Sequence, residues 1–335
     1  MAEVKFAEDM RQRSHTTSVT SVPSVTSVPL RPYQLKFDAL LVLVTMIWGS
    51  TFLVVKETLK LTGPFTYLAL SYGVGTLLLA LIFHKRLLRI TRQEVISGII
   101  IGIFLFSGYA LQTRGIQYTT VSKAGFITGL YVPLVPLFSF LFLRQRPTIK
   151  AITGVILSVV GLCLLSINNT FNLAFGIGEA LLLGCAVAFA MQIIMISKFA
   201  PGANAINLAI VQLTLTSVLS CLAIPIAREP FIMPALPVWG AVLFMGVADV
   251  AFTLLAINWV QQYVSSTRAA LIYALEPMWA ALTGFLLAGD VLSLPAWIGC
   301  GCILLGMIVG VMRFPLTRKR IGRSGGHQQM NGIRA

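Results

Sequence analysis

The stretch QYTTVSKAGFITGLY at residues 117–131 returns 145 positions later as QYVSSTRAALIYALE at residues 262–276, and the match runs on without a gap to Gly161 and Gly306. Gln117/Gln262, Tyr118/Tyr263, Ala124/Ala269, Ile127/Ile272 and Leu130/Leu275 coincide, and Lys123 stands opposite Arg268. Further on, Leu137/Leu282, Phe140/Phe285, Ala151/Ala296, Gly154/Gly299 and Gly161/Gly306 stay in register. Eleven identities in 45 positions are a modest signal in an apolar alphabet. The charged pair and the spaced glycines lift it above that background, so the chain reads as a duplication.

Composition defines the solvent of the repeated unit. The chain is 57% hydrophobic and 11% charged, and its apolar runs approach the ~20 residues a helix needs to cross a bilayer. Only helices and closed barrels satisfy every backbone group in lipid, and long unalternating runs exclude the period-2 pattern of a barrel. The expected fold is an all-α integral membrane bundle of ten transmembrane helices. The spans fall near 37–55, 64–83, 95–113, 122–143, 149–167, 176–197, 204–227, 236–257, 264–287 and 295–312. Residues 37–168 form one five-helix repeat and residues 176–312 the other. They are flanked by a disordered cytoplasmic tail at 1–36, with SVTSVP twice in tandem, and by a basic cytoplasmic tail at 313–335. The first apolar run is as long as a full span and lacks a small-x-small cleavage pattern, so the N-terminal tail is expected to stay in the mature protein.

The net charge of +14 invites a nucleic-acid reading until the cations are sorted by side. Twenty of the 25 Lys and Arg fall on the side that holds both tails, leaving Lys56, Lys60, Arg114, Lys123 and Arg228 opposite. By the positive-inside rule both termini face the cytoplasm of a multi-pass cell-membrane protein. Five spans is an odd number, so the second repeat must enter the membrane inverted. The loops agree: Arg144, Arg146 and Lys150 are matched by the uncharged Gly289, Val291 and Pro295. Inverted repeats mark secondary transporters, which expose a midplane site alternately to either face.

Three strings add a family resemblance: Trp48-Gly49-Ser50-Thr51-Phe52; Gln117-Tyr118-Thr119-Thr120 leading into Ala124-Gly125-Phe126-Ile127-Thr128-Gly129-Leu130; and Ala269-Ala270-Leu271-Ile272 with Leu275-Glu276-Pro277. In their order and spacing the chain resembles the EamA-type transporters of the drug/metabolite transporter superfamily. The resemblance implies a ten-helix exporter of amino acids or other small metabolites, usually in a bacterial inner membrane. Two departures stand out: Leu70-Ser71-Tyr72, where such proteins often carry Arg beside an aromatic residue, and Asp290, where Glu is commoner.

Candidate chemistry lies with the polar groups that a bilayer excludes. Asp249 and Glu276 sit about halfway along consecutive spans, where a charge costs at least about 2.5–3.5 kcal/mol. They are candidates for a proton site or for ligands of a substrate ammonium group, or else they brace helix packing. Proton exchange through Glu276 is the preferred reading. Pro277 frees the Tyr273 carbonyl one turn back, and Pro133 and Pro136 free those of Gly129 and Val132, so these prolines are hinge candidates or static kinks. Lys123 and Arg268 are gate candidates, with interfacial snorkelling as the alternative. Tyr131, the repeat counterpart of Glu276, joins Tyr273, Trp48, Gln112 and Asn258 as substrate-binding candidates, with Tyr109, Gln192 and Trp279 near the same cavity.

Other classes find little support. The three histidines lie in tails or a loop, and no H-E-x-x-H, G-x-S-x-G or P-loop string occurs. The five cysteines lie in apolar spans with no C-x-x-C, so no metal, cofactor or disulfide is expected. The expected partners are a small-molecule substrate and the lipid bilayer, not nucleic acid; the energy comes from an ion gradient, with protons preferred, or from the substrate's own gradient. A membrane-embedded enzyme on a lipid-linked substrate, and a channel or sensor, remain the competing classes. Gly98 and Gly102 fit the small-xxx-small pattern, which serves packing within one chain as well as dimerisation, so the oligomeric state is open.

Overall fold

The computed structural model describes residues 31–119, 121–166, 176–230, 234–287 and 291–311, and every element among them is helical. In order these are α1 (Arg31–Thr58), α2 (Pro64–Ile82), the short α3 (His84–Leu87), α4 (Arg92–Ile116), α5 (Val121–Gly129), α6 (Tyr131–Leu143), α7 (Ile149–Ser166), α8 (Ile177–Phe199) and α9 (Ala205–Ile226). There follow α10 (Leu236–Phe244), a π-helical segment (Met245–Phe252), α11 (Thr253–Val260), α12 (Ser266–Tyr273), α13 (Glu276–Leu287) and α14 (Leu294–Val311). Nine helical segments among the described residues are long and apolar enough to cross a membrane. They join α5 to α6 as Ala124–Leu143, α10 through α11 as Leu236–Val260, and α12 to α13 as Ser266–Leu287. The expected span at 149–167 is represented by α7, whose apolar part, Ile149–Leu165, is shorter than the other nine.

Two boundaries differ from expectation in an informative way. Residues 31–36, expected in the N-terminal tail, are helical and continuous with the rest of α1. Most of both tails, and Asp290, lie outside the described residues. The spans at 122–143 and 264–287 are each broken, the first at Leu130 and the second at Ala274 and Leu275. Leu130 and Leu275 are matched positions of the repeat.

The helices gather into two compact units, residues Met1–Phe106 with Met195–Ser265, and Ser107–Ile194 with Ser266–Ala335. The first holds α1, α2, α9 and the α10 to α11 span; the second holds α5, α6, α7, α12, α13 and α14, while α4 and α8 are divided. Each unit therefore draws on both halves of the sequence.

In the first unit, acids distant in sequence cap the central helices. Glu229 accepts from the Phe65 and Thr66 amides at 3.0 Å each, and from the Thr66 hydroxyl at 3.1 Å. It thereby satisfies donors that the start of α2 leaves unpaired. A side chain on Gly63 would run into that carboxylate. At the start of α9, Glu94 accepts from the Asn204 amide at 2.8 Å and the Asn207 side chain at 2.9 Å. The same Glu94 closes a capping box with Thr91 on α4. Helix α2 packs closely on the π-helical segment because Gly75 and Gly246 remove side chains from that contact: a Cβ on Gly75 would stand 3.1 Å from the Gly246 carbonyl oxygen.

The second unit is built on a glycine seam. A Cβ on Gly154 would lie 2.6 Å from the Gly306 carbonyl oxygen, and one on Gly161 would lie 2.6 Å from that of Gly299. Position 154 faces 306 and position 161 faces 299, so α7 and α14 run antiparallel with their backbones nearly touching. Lipid provides little hydrophobic drive between helices, and such small-residue contacts are what hold spans together. The glycines that coincide in the repeat are thus the ones that make this seam.

Candidate functional site

Of the two candidate acids, Asp249 belongs to the first unit and Glu276 to the second. In the second unit, α5 packs on α13 and α6 on α12, which lays the two broken spans antiparallel with break against break. The Tyr131 hydroxyl is within hydrogen-bonding distance of Glu276 Oε2 (3.2 Å) and of the Tyr273 carbonyl oxygen (3.1 Å). All three residues are buried. Residues Tyr131 and Glu276, paired by the repeat, therefore touch.

Proline explains why the Tyr273 carbonyl is available. Pro277 has no N–H, so the carbonyl four residues back loses its helical donor and Tyr131 supplies one from across the break. Pro133 and Pro277 both lie in the first turn of a helix that restarts after the break, where proline is well tolerated. Each span is interrupted a few residues before its proline, Leu130 keeping a right-handed helical conformation, and Pro136 lies within α6. Gly129 ends α5 against Leu162, whose side chain a Cβ there would meet at 2.9 Å, with the ring of Pro277 in ordinary contact range.

One residue that sequence reasoning did not assign to this place comes near Glu276. Cys185 lies within electrostatic range of the acid, with Thr128 near its thiol. Tyr109 comes near Tyr131 and stacks edge-on against Phe189, with ring centroids 5.0 Å apart. Cys185 reads in sequence as a small apolar side chain, and only the three-dimensional packing places it beside an acid. Gln112 is buried in the same unit, as is Gln192, whose Nε2 has no hydrogen-bond partner. The buried indole nitrogen of Trp279 is likewise unpartnered.

The remaining candidates are distributed as follows. Trp48 donates from its indole to Thr253 Oγ1 at 3.3 Å, and Asn258 pairs with Gln212 at 2.8 Å while donating to the Leu254 carbonyl, all in the first unit. Arg268 donates to the Val311 carbonyl at 3.0 Å, a cation capping the C-terminal end of α14. Lys123 lies in α5, with its side chain outside the described residues. A cavity of about 520 Å³ opens in the first unit among Leu40, Arg86, Asn204, Phe252, Trp259 and Gln262, together with Ala203, Ala205, Ile206, Leu255 and Ala256. Neither Asp249 nor Glu276 lines it.

Long apolar helices with polar side chains buried within them describe a multi-pass membrane protein. Residues 35–167 and 176–312 each match the EamA-like transporter family. The chain belongs to that family, within the drug/metabolite transporter superfamily. An uncharacterized transporter of Archaeoglobus fulgidus is 33% identical over 82% of this chain and 86% of its own length. The uncharacterized transporter YoaV of Bacillus subtilis is 22% identical over 83% and 97% respectively. A protein of known crystal structure shares the fold with a TM-score of 0.69 at 20% identity, covering 81% of this chain and 95% of the other.

Proposed function

We propose that the protein is a secondary active transporter that exports amino acids or other small metabolites across the cell (inner) membrane by alternating access. Both termini face the cytoplasm, and α7 serves as the tenth span. Its apolar segment, Ile149–Leu165, lies at the short end of the range for crossing hydrocarbon. In this reading Glu276 and Tyr131 hold a polar group of the substrate, and Glu276 also exchanges the coupling proton. The observation that carries it is the Tyr131 to Glu276 contact at two matched helix breaks. Broken spans with carbonyls released from the helix are how transporters place ligands at the midplane. The antiparallel seam of α7 and α14, repeat partners in sequence, supports an inverted duplication.

Proteoliposomes loaded with a cell metabolite extract test this reading. Their efflux is expected to be confined to a few polar compounds, to saturate, and to accelerate when the same compound is supplied outside. Unsaturable leakage without acceleration would indicate a channel, and a chemically altered compound an enzyme; either result contradicts carrier transport.

A further inference from the structure

We propose that Asp249 forms a second proton-binding site, inside the first unit and separate from Glu276. The carboxyl sits within the π-helical segment at the middle of a membrane span, buried, and its Oδ1 has no hydrogen-bond partner among the described residues. The backbone there departs from regular helix: the Thr253 hydroxyl donates to the Asp249 carbonyl, and Trp48 in turn donates to Thr253. π-Helical geometry inside an α-helical span is rare and is found frequently at functional positions.

The groups facing Asp249 are neutral. Helix α1 contributes Thr51, whose side chain stands next to the carboxyl, and α2 contributes Tyr67, the titratable neighbour, with Ser71 one turn along. The buried side chains Thr216 and Ser220 of α9, which also packs on the π-helical segment, are uncharged. Among the described residues no cation pairs with Asp249. An ionised carboxylate so placed lacks the partners that make a buried charge tolerable. This conformation therefore corresponds to the neutral acid, with one proton from water held on a carboxyl oxygen. Release of that proton requires a conformation in which donors or water reach the carboxylate, and rotation of the Thr51, Tyr67 and Ser71 hydroxyls is the nearest means. A sodium ion would need several more oxygen ligands, whereas the Gly75 and Gly246 contacts bring backbone against backbone.

The site is read from the first unit alone; only its use as a coupling site rests on the transport reading. Infrared spectra of the full-length protein in liposomes, taken across a pH series, test it. The band of protonated carboxyl groups is expected to lose one carboxyl per protein in Asp249→Asn and to keep that contribution in Glu276→Gln. It should decline with rising pH and ignore added sodium. An Asp249→Asn band equal to the parent's would overturn the site, and loss of the parent's Asp249 contribution on adding sodium at constant pH would overturn its assignment to a proton. Thermal melting of Asp249→Asn checks that the variant is folded, and Asp249→Ser, read in the same way, replaces it if it is not. Failure of the transport reading would appear in flux and leave this band unchanged.

Discussion

Glu276→Gln is expected to reduce saturable flux at low substrate roughly 10- to 150-fold and to make the remainder insensitive to an imposed pH step. The amide keeps the shape of the side chain but removes its charge and its ability to take up a proton. Hydrogen bonds to charged groups contribute about 1.5–3 kcal/mol, which sets that range. Tyr131→Phe is expected to act in the same direction with a smaller effect, roughly tenfold, because it removes the hydroxyl that serves both Glu276 and the Tyr273 carbonyl. Flux after a pH jump in proteoliposomes is the check. A Glu276→Gln protein that still couples to the proton gradient like the parent would remove Glu276 from the mechanism.

Gly161→Val is expected to destabilise the protein by about 3 kcal/mol, or to prevent its accumulation in membranes. Its Cβ would lie 2.6 Å from the Gly299 carbonyl oxygen and 2.7 Å from the Ile303 amide nitrogen. Both obstacles are backbone, so no side chain can turn aside and α7 must move away from α14. Gly301→Ala on the same α14 provides the contrast. A Cβ there meets nothing within 4 Å, and its replacement is expected to be neutral or to stabilise by about 0.5–1 kcal/mol. Thermal melting of the two purified variants checks the seam; equal melting temperatures would contradict it.

Class and membrane spans were legible in the sequence because the bilayer imposes a length and a composition on every crossing segment. The repeat was legible for a more specific reason. Gly154, Gly161, Gly299 and Gly306 occupy the closest backbone approach in the second unit, where no larger residue fits. The freed carbonyl of Tyr273 could be read from Pro277 alone, since the missing donor is a property of the residue. The partner that answers it could not: Tyr131 is 142 residues away, and no periodicity reports a contact of that separation.

Three other features left little local trace. The interruptions at Leu130 and at Ala274 and Leu275 were signalled only by Pro133 and Pro277 a few residues on, which mark a kink but not its position. The π-helical segment around Asp249 has the composition of a continuous helix, and its one clue is an acid in the middle of a span. The grouping of α1, α2 and α9 with the α10 to α11 span depends on contacts such as that of Glu229 with the start of α2. Glu229 reads in sequence as an ordinary loop acid. Thr128 and Cys185 were likewise passed over because each is a small side chain with nothing unusual in its own helix.

The most direct measurement compares, by untargeted metabolite profiling, the medium of cells expressing the parent with that of cells expressing Glu276→Ala at matched membrane abundance. The account predicts one or a few small polar metabolites enriched with the parent and absent from that enrichment in the variant. Identical profiles, or an enrichment that survives Glu276→Ala, would contradict export through the Glu276 and Tyr131 site.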